Sequence, residues 1–144
     1  MTRVEINIKI NRPPQDVFAY ISNFENNPKW QSGMKSARFT SEGPLRVGST
    51  YAQEASFLGR RIETHFEVTE YEAGKRVRIA STSGSFPIQV LREVTASDGG
   101  AHVHAVIEGQ AGGFFRIFAP LLNWMVARQI RADYANLKRI LEGG

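Results

Sequence analysis

The 144-residue sequence contains no cysteine, and this absence excludes disulfide bonds, thiol chemistry and zinc sites built on cysteine ligands. Histidine is scarce, with three residues that form no His-Glu-x-x-His pattern. No serine stands in a recognisable nucleophile elbow. The glycines of "GQAGG" lack the strand and helix context of a phosphate-binding loop. Because the familiar hydrolase and nucleotide-binding signatures are missing, we expect no cofactor.

Long apolar runs are also missing from the chain. The longest nearly apolar run, residues 117–127, is too short to span a bilayer. The first ten residues contain no apolar core of a secretory signal. From these two features we expect a cytoplasmic protein.

Charge is present but unevenly placed. The chain has 18 basic and 14 acidic side chains, and residues 113–144 carry +3 of the net charge of +4. A basic terminal segment favours anionic partners, although it is also typical of a solvated helix face. The remainder is nearly neutral, and we expect no nucleic-acid partner.

The first thirty residues predict a strand followed by two short helices. Polar and apolar residues alternate strictly in "RVEINIKIN", which is typical of a strand with one buried face. Paired prolines then open "RPPQDVFAYIS", as they do at the start of a helix. The next segment, "NFENNPKW", predicts a second short helix or helical turn, broken at Pro28.

From about residue 35 the apolar period changes to two, and turn sequences such as "EAGK" and "SDGG" separate the segments. Each segment has one apolar and one mixed face, which is typical of an antiparallel sheet covered on one side. The predicted strands are 35–42, 49–57, 61–72, 75–82, 86–96 and 101–110.

The chain ends with a helical pattern, and the apolar residues of 114–142 keep close to a 3.6-residue period. Pro120 lies too far inside this pattern for an ordinary first-turn proline, so it predicts a kink or the start of the main helix body. The whole chain, 1–144, is therefore interpreted as one α+β domain. A curved sheet with one apolar face and a helix with one apolar stripe cover each other, and the space left between them is a cavity.

Two stretches make the chain resemble a known superfamily. "INIKINRPPQDVFAYISNFENNPKW" is similar to the opening strand, helix and Pro-x-Trp turn of START/Bet v 1-like (SRPBCC) proteins, and "HVHAVIEGQAGGFFRIFAPLL" to their approach to the terminal helix. The resemblance covers essentially the whole chain and is strongest to the polyketide cyclase/dehydrase-type branch. It implies a helix-grip fold, with a seven-stranded antiparallel sheet wrapped around the C-terminal helix. It leaves function open, because this superfamily includes cyclases, lipid carriers and receptors.

Strand parity and the resemblance together predict the residues of the cavity. Trp30 is expected to pack on the terminal helix near Met125 or Leu122, as core or as a ligand contact. Arg92 interrupts an inward apolar series, so it requires an anionic ligand, a water-filled mouth or a salt bridge at the strand end. The candidate cavity residues are Trp30, Tyr51, Gln53, Phe66, Ile79, Ser81, Ile88, Val90, Arg92, Ile107, Met125 and Tyr134.

The three histidines occupy the alternate strand positions that carry polar side chains. His102 and His104 are spaced as a metal-binding pair would be, but the inward positions beside them are apolar, and His65 shares the polar parity. We therefore expect exposed histidines and no metal site.

Three functions remain open at this point. The predominantly apolar interior favours binding of a small hydrophobic or amphipathic molecule, such as a lipid, isoprenoid or polyketide. A polyketide cyclase/aromatase-type enzyme is the alternative, and it requires inward titratable groups. The third is a docking domain, because residues outside the main helical stripe favour a membrane-surface contact or a homodimer. These residues are Phe115, Leu122, Trp124 and Val126.

Overall fold

The computed structural model describes residues 2–57, 59–83, 87–109 and 119–143. In this part the chain forms seven strands and three α-helices, with a 3-10 turn at Phe24–Asn26 before the second helix. The strands are β1 (Thr2–Ile10), β2 (Met34–Phe39), β3 (Thr50–Phe57), β4 (Arg60–Glu72), β5 (Arg76–Ser83), β6 (Ile88–Ser97) and β7 (Gly100–Gly109), and the helices are α1 (Pro14–Ser22), α2 (Asn27–Trp30) and α3 (Ala119–Leu141).

The seven strands form a single antiparallel sheet in the order β1-β7-β6-β5-β4-β3-β2. The sheet curls into a half-barrel, and α3 lies against its inner face. This arrangement confirms the predicted α+β class and helix-grip fold. The six strands predicted after residue 35 are all present, and their ends differ from the predicted ones by at most three residues.

The core lies between the inner face of the sheet and the helices. Val4, Ile6 and Ile10 of β1 are buried, as their alternation predicts, and the pattern continues through β4 to β7. Helix α3 contributes Leu137 and Leu141 to the same core. Burial of these apolar faces drives the sheet to close on the helix.

The two short helices cover one end of this core. Helix α1 follows Pro13 and buries Val17, Phe18 and Ile21. The predicted break at Pro28 is wrong, because Pro28 lies in the first turn of α2. A first-turn backbone N–H has no partner within its helix, so the missing N–H of proline removes no hydrogen bond there.

Helix α3 presents opposite faces to the core and to solvent. Its exposed side chains include Trp124, Arg128 and Arg131. The predicted end at residue 142 is confirmed to within one residue, while the predicted start at 114 lies outside the described residues. The side chains of Phe115, Pro120 and Leu122 also lie outside them. Among the helices that the structure describes, none combines the length and apolarity needed to cross a membrane.

The β6–β7 hairpin has a two-residue turn at Asp98 and Gly99. Both residues have positive φ, at 38° and 80°, as a type I′ turn requires. Just after the turn, a Cβ atom built on Gly100 would lie 2.6 Å from the backbone oxygen of Ile10. The "SDGG" sequence therefore supplies the turn and also the space for β1 to approach β7.

Candidate ligand-binding cavity

A cavity of about 160 Å³ lies between the inner face of the sheet, helix α2 and helix α3, and it is partly open to solvent. Strands β3 to β7 each contribute at least one side chain to its wall. This volume is close to that of apolar protein cavities that take up benzene, about 150 Å³. It is smaller than the roughly 300–1,000 Å³ of pockets for drug-sized ligands.

The structure brings most of the predicted site residues together around this cavity. Those that line it are Trp30, Tyr51, Gln53, Phe66, Ile79, Ile88, Val90, Arg92, Ile107 and Tyr134.

Two predicted residues, Ser81 and Met125, do not line the cavity. The Ser81 hydroxyl oxygen instead accepts a hydrogen bond from the Ile88 backbone N–H at 2.9 Å, and Ser81 faces a neighbouring surface hollow. Ser81 pairs directly with the cavity residue Phe66, so strand parity holds at this position, and the register shift between His65 and Phe66 lies beyond it. The residue of β5 that lines the cavity is Ile79, two positions before Ser81. Met125 is half-buried and stands more than one helical turn before Ile130, the first described residue of α3 at the cavity.

Four lining residues escaped the sequence reasoning, namely Asn27, Gln31, Ile130 and Asp133. Asn27 and Gln31 flank Trp30 in α2 and the loop after it, where no periodic pattern indicates which side chains face inward. Ile130 stands four residues before Tyr134, so the helical period could have identified it once Tyr134 was chosen.

Arg92 is buried, with 5% of its surface exposed. Its Nε donates a hydrogen bond to the Tyr134 hydroxyl oxygen at 3.1 Å, and its Nη1 donates to the Ile21 backbone oxygen at 3.2 Å. None of the ion pairs among the described residues includes Arg92, so the predicted strand-end salt bridge is wrong. The cavity therefore has a buried cation in its wall that neutral groups hold in place.

Trp30 is buried against both the sheet and the terminal helix. Its ring lies edge-on to the Tyr134 ring at 4.9 Å between centroids, and the Arg92 guanidinium carbon lies 5.1 Å from its centroid. Helix α3 also contacts the backbone here, since Asn136 Nδ2 donates to the Trp30 oxygen at 3.2 Å. The expected packing on the terminal helix is confirmed, but the aromatic partner is Tyr134, further along α3 than Met125 or Leu122.

Two buried polar atoms at the cavity have no hydrogen-bond partner in the described part of the chain. They are Trp30 Nε1, a donor, and Asn27 Oδ1, an acceptor. Both residues belong to α2, three positions apart, and each is 1% exposed. An unpaired buried polar group costs roughly 1–3 kcal/mol, so this end of the cavity favours a guest with polar groups.

Aromatic rings form another part of the cavity wall. The Tyr51 ring is stacked on Phe66 at 5.0 Å and on Phe24 at 4.3 Å, with interplanar angles of 14° and 20°. Burial raises the pKa of the Tyr51 hydroxyl well above its usual range, so this group stays protonated. This part of the wall is therefore aromatic, largely apolar and uncharged.

Asp133 is the second charged residue of the wall and is 8% exposed. Burial raises the pKa of its carboxyl group, against the opposing effect of hydrogen bonds from Ser32 and Gln129. Its Oδ1 accepts from the Ser32 backbone N–H at 3.0 Å and from Gln129 Nε2 at 2.8 Å. The carboxyl group is thus tied to the loop after α2 and to its own helix.

The histidines lie on the outer face of the sheet and not in the cavity. His104 bridges two carboxylates, with Nδ1 2.9 Å from Glu93 and Nε2 2.6 Å from Glu5. These contacts raise the pKa of His104 and lower those of both glutamates. Among the described residues, no group of three or more histidine and acidic side chains has a metal-binding arrangement.

The half-barrel, the long helix and the cavity between them define a helix-grip protein of the START/Bet v 1 type. The family model described as "Polyketide cyclase / dehydrase and lipid transport" matches residues 1–142. The chain therefore belongs to the polyketide cyclase/dehydrase and lipid transport family. No curated protein matches it at a significant level.

Solved structures from several bacteria share this fold at low sequence identity. A Thermus thermophilus protein has a TM-score of 0.82 and 16% identity, over 95% of this chain and 94% of its own. A Mycobacterium smegmatis START superfamily protein has a TM-score of 0.78 and 11% identity, over 99% and 98%. The Zhui aromatase/cyclase from a Streptomyces species has a TM-score of 0.77 and 12% identity, over 97% and 93%. At these identities the likeness concerns the fold alone.

Proposed function

We propose that this protein binds a small hydrophobic or amphipathic molecule in the cavity between the sheet and helix α3. The observation that carries the proposal is the cavity itself, with a largely apolar wall and polar atoms at one end. Such a combination is typical of ligand sites, where apolar area supplies affinity and a few polar groups fix orientation. Membership of a family described by lipid transport as well as cyclase activity supports the same function.

The size of the cavity sets the expected affinity. A guest of about 160 Å³ buries on the order of 250 Å² of apolar surface, worth roughly 6 kcal/mol at 25 cal/mol per Å². After the loss of translational and side-chain freedom, binding by apolar contacts alone is expected on the order of 0.1 mM or weaker. Tighter binding requires the polar end.

Filling the cavity tests this function directly. Ile107→Trp introduces a bulky ring into the wall and should weaken binding of a panel of aromatic and short-chain ligands at least tenfold, measured by calorimetry. Val47→Trp is the matched control, because Val47 is 57% exposed and lies away from the cavity. Native mass spectrometry of freshly purified protein adds an unbiased search for a bound molecule. Equal binding by both variants, or no ligand by either method, would refute the proposal.

Catalysis of the cyclase/dehydrase type is a second candidate function. It draws support from Asp133 and Tyr134, adjacent residues that bring a carboxyl group with a raised pKa and a hydroxyl group to the cavity wall. A carboxyl group with a raised pKa beside a bound carbonyl compound is better suited to general acid catalysis than one with the ordinary pKa. Asp133→Asn keeps the acceptor for Ser32 and removes the titrating group. The assay measures conversion of a linear β-diketone by the wild type and by this variant. If both convert it equally well, Asp133 does not act as the general acid.

A membrane-surface contact is a third proposal, and the exposed face of α3 supports it. Trp124 is 60% exposed, and the Arg128 guanidinium carbon lies 5.6 Å from its ring centroid. Arg131 and Arg139 are exposed on the same helix, and the described residues place no carboxylate in an ion pair with these three arginines. The arginines on this face would repel the same face of a second copy of the chain. An anionic bilayer therefore fits this face better than a homodimer contact does.

Vesicle sedimentation tests this contact. The wild type should bind vesicles that contain anionic lipid and should not bind zwitterionic vesicles. Binding to the anionic vesicles should fall in Trp124→Ala and in Arg128→Gln. Equal sedimentation with both vesicle types would contradict the charge argument.

The expected cytoplasmic location stays a prediction, and cell fractionation would check it.

A further inference from the structure

The polar end of the cavity restricts the class of ligand, and the inference drawn from it rests on the proposed binding function. Three features have to be satisfied together. They are the buried cation of Arg92, the unpaired donor Trp30 Nε1 and the unpaired acceptor Asn27 Oδ1.

The cation requires a negative partner or a dipole. A buried guanidinium group without a carboxylate is unfavourable, and its contacts with the Tyr134 hydroxyl, the Ile21 carbonyl and the Trp30 ring offset only part of this. Those contacts fix the position of the guanidinium group in the cavity wall. An anionic oxygen on the guest would form a charge-assisted hydrogen bond with a group that is already positioned.

The other charged residue of the wall, Asp133, does not supply that anion. Its Oδ1 is occupied by Ser32 and Gln129, and it forms no ion pair with Arg92. The described wall therefore leaves the cation at the cavity for a guest.

The two unpaired atoms of α2 add a second requirement. The Arg92 guanidinium group lies over the face of the Trp30 ring, whereas the Nε1–H group points out from the ring edge. A carboxylate has two oxygens, so one can meet Arg92 while the other accepts from this N–H group. Asn27 Oδ1 only accepts, so it requires a donor, which a hydroxyl group on the guest provides. The guest therefore needs both an anionic oxygen and a hydroxyl group.

Size and shape supply the last restriction. At about 160 Å³ the cavity is close to one that takes up benzene, about 150 Å³, so a single ring with small substituents approaches its capacity and a long acyl chain exceeds it. Phe24 and Phe66 stack on the two faces of Tyr51, so a guest meets ring edges here, and edge-to-face contact favours an aromatic guest over a branched aliphatic one.

We infer that the ligand is a compact, monocyclic aromatic carboxylate with a hydroxyl group, whose carboxylate meets Arg92 and Trp30 Nε1 and whose hydroxyl meets Asn27 Oδ1. The ring occupies the space beside Tyr51 and Phe66.

The experiment compares ligands that differ in one group. 3-Hydroxybenzoate carries its carboxylate and hydroxyl group on the same side of the ring, as the single polar end requires. This acid, its neutral counterpart 3-hydroxybenzyl alcohol, benzoate and palmitate are titrated into the wild-type protein by calorimetry. We expect 3-hydroxybenzoate to bind at least about tenfold more tightly than 3-hydroxybenzyl alcohol, because a charge-assisted hydrogen bond is replaced by a neutral one. Benzoate, which lacks the hydroxyl group, should bind more weakly than 3-hydroxybenzoate.

A nuclear magnetic resonance measurement locates the contact. The protein has two tryptophans, and Trp124→Phe assigns their indole N–H signals. 3-Hydroxybenzoate should move the Trp30 signal downfield and leave the Trp124 signal in place. Arg92→Gln should abolish the preference for the acid. Tyr134→Phe, which keeps the cation and removes one of its anchors, should reduce the preference if Arg92→Gln fails to fold.

The outcomes separate this inference from the proposed function. Palmitate or the neutral alcohol binding as tightly as the acid would overturn the inference and leave the binding function standing. The same conclusion follows from an unmoved Trp30 signal at saturation with the acid. If none of the four compounds binds, the inference is overturned, and the proposed function then depends on the wider ligand panel and on native mass spectrometry.

Discussion

The buried ring of Trp30 provides the sharpest test of how the cavity end is built. Two replacements separate its contributions. Trp30→Ala removes the whole ring, whereas Trp30→Phe keeps an aromatic ring of smaller size and removes the indole N–H. Because Trp30 Nε1 has no partner in the described structure, Trp30→Phe breaks no hydrogen bond of the side chain.

The magnitudes follow from the contacts. Trp30 is 1% exposed, and truncation of a fully buried tryptophan to alanine lowers the free energy of unfolding by about 3–5 kcal/mol. Loss of the cation–π contact with Arg92, up to about 2 kcal/mol when desolvated, places Trp30→Ala in the upper part of that range. Trp30→Phe retains the ring packing on Tyr134 and should lower the free energy of unfolding by only about 1–2 kcal/mol.

Urea unfolding followed by far-ultraviolet circular dichroism measures these values without relying on tryptophan fluorescence. For a chain of this length, the melting temperature of Trp30→Ala should fall by roughly 10–15 °C. Trp124→Ala is the control, and the 60% exposure of Trp124 predicts a change within about 0.5 kcal/mol. If Trp30→Ala loses no more stability than Trp124→Ala, Trp30 does not pack as the structure indicates.

Three further predictions concern the frame around the cavity. Gly100→Ala should destabilise the protein by about 1–3 kcal/mol in urea unfolding, because its new Cβ would lie 2.6 Å from a backbone oxygen of β1. His104→Gln should lower stability most near pH 5.5 and least near pH 9. Because the pKa of His104 is raised in the folded protein, its contribution to the free energy of unfolding is full below pH 6.5 and is lost as the pH rises through the folded pKa. The pKa values of Glu5 and Glu93 are lowered, so these two carboxylates contribute above about pH 4.5. Deletion of 130–144 should abolish cooperative unfolding, because the inner face of the sheet loses its cover.

Matched controls distinguish these effects from general damage. Gly109→Ala places a Cβ at 3.4 Å from the Pro87 oxygen, so it should be much milder than Gly100→Ala. His102→Gln is the matched control for His104→Gln, because the ring of His102 contacts Asn7 and no carboxylate in the described structure. A constant difference from pH 5.5 to 9 for His104→Gln, or a truncated chain that still melts cooperatively, would contradict the corresponding argument.

Period and turn chemistry made most of the fold predictable. The alternation through Val4, Ile6 and Ile10 identifies a half-buried strand, and "SDGG" identifies the hairpin that follows β6. Pro28 was misinterpreted because proline disrupts a helix interior but is compatible with a first turn, and these positions look alike in a sequence of irregular period.

The cavity was predictable as a set of inward positions but not as a set of contacts. Parity identified Arg92, yet its partners Tyr134 and Ile21 are 42 and 71 residues away in sequence, and no local pattern encodes such pairs. Ser81 has the parity of the cavity residues and pairs with Phe66, but parity does not show how far along a strand the cavity extends. Asn27 lies in a helix of four residues, too short to show a period.

The cavity also has a mechanical consequence. Unfolding eliminates internal void, so high pressure favours the unfolded chain of a protein with an unfilled interior. If all 160 Å³ were void, the volume change on unfolding would include a contribution of roughly −100 mL/mol, and water within the open part makes it smaller. A bound ligand fills the cavity and removes that contribution. Hydrostatic pressure therefore acts as a gauge of occupancy, since the pressure at which half the molecules unfold rises as the cavity fills, whatever the chemical nature of the guest.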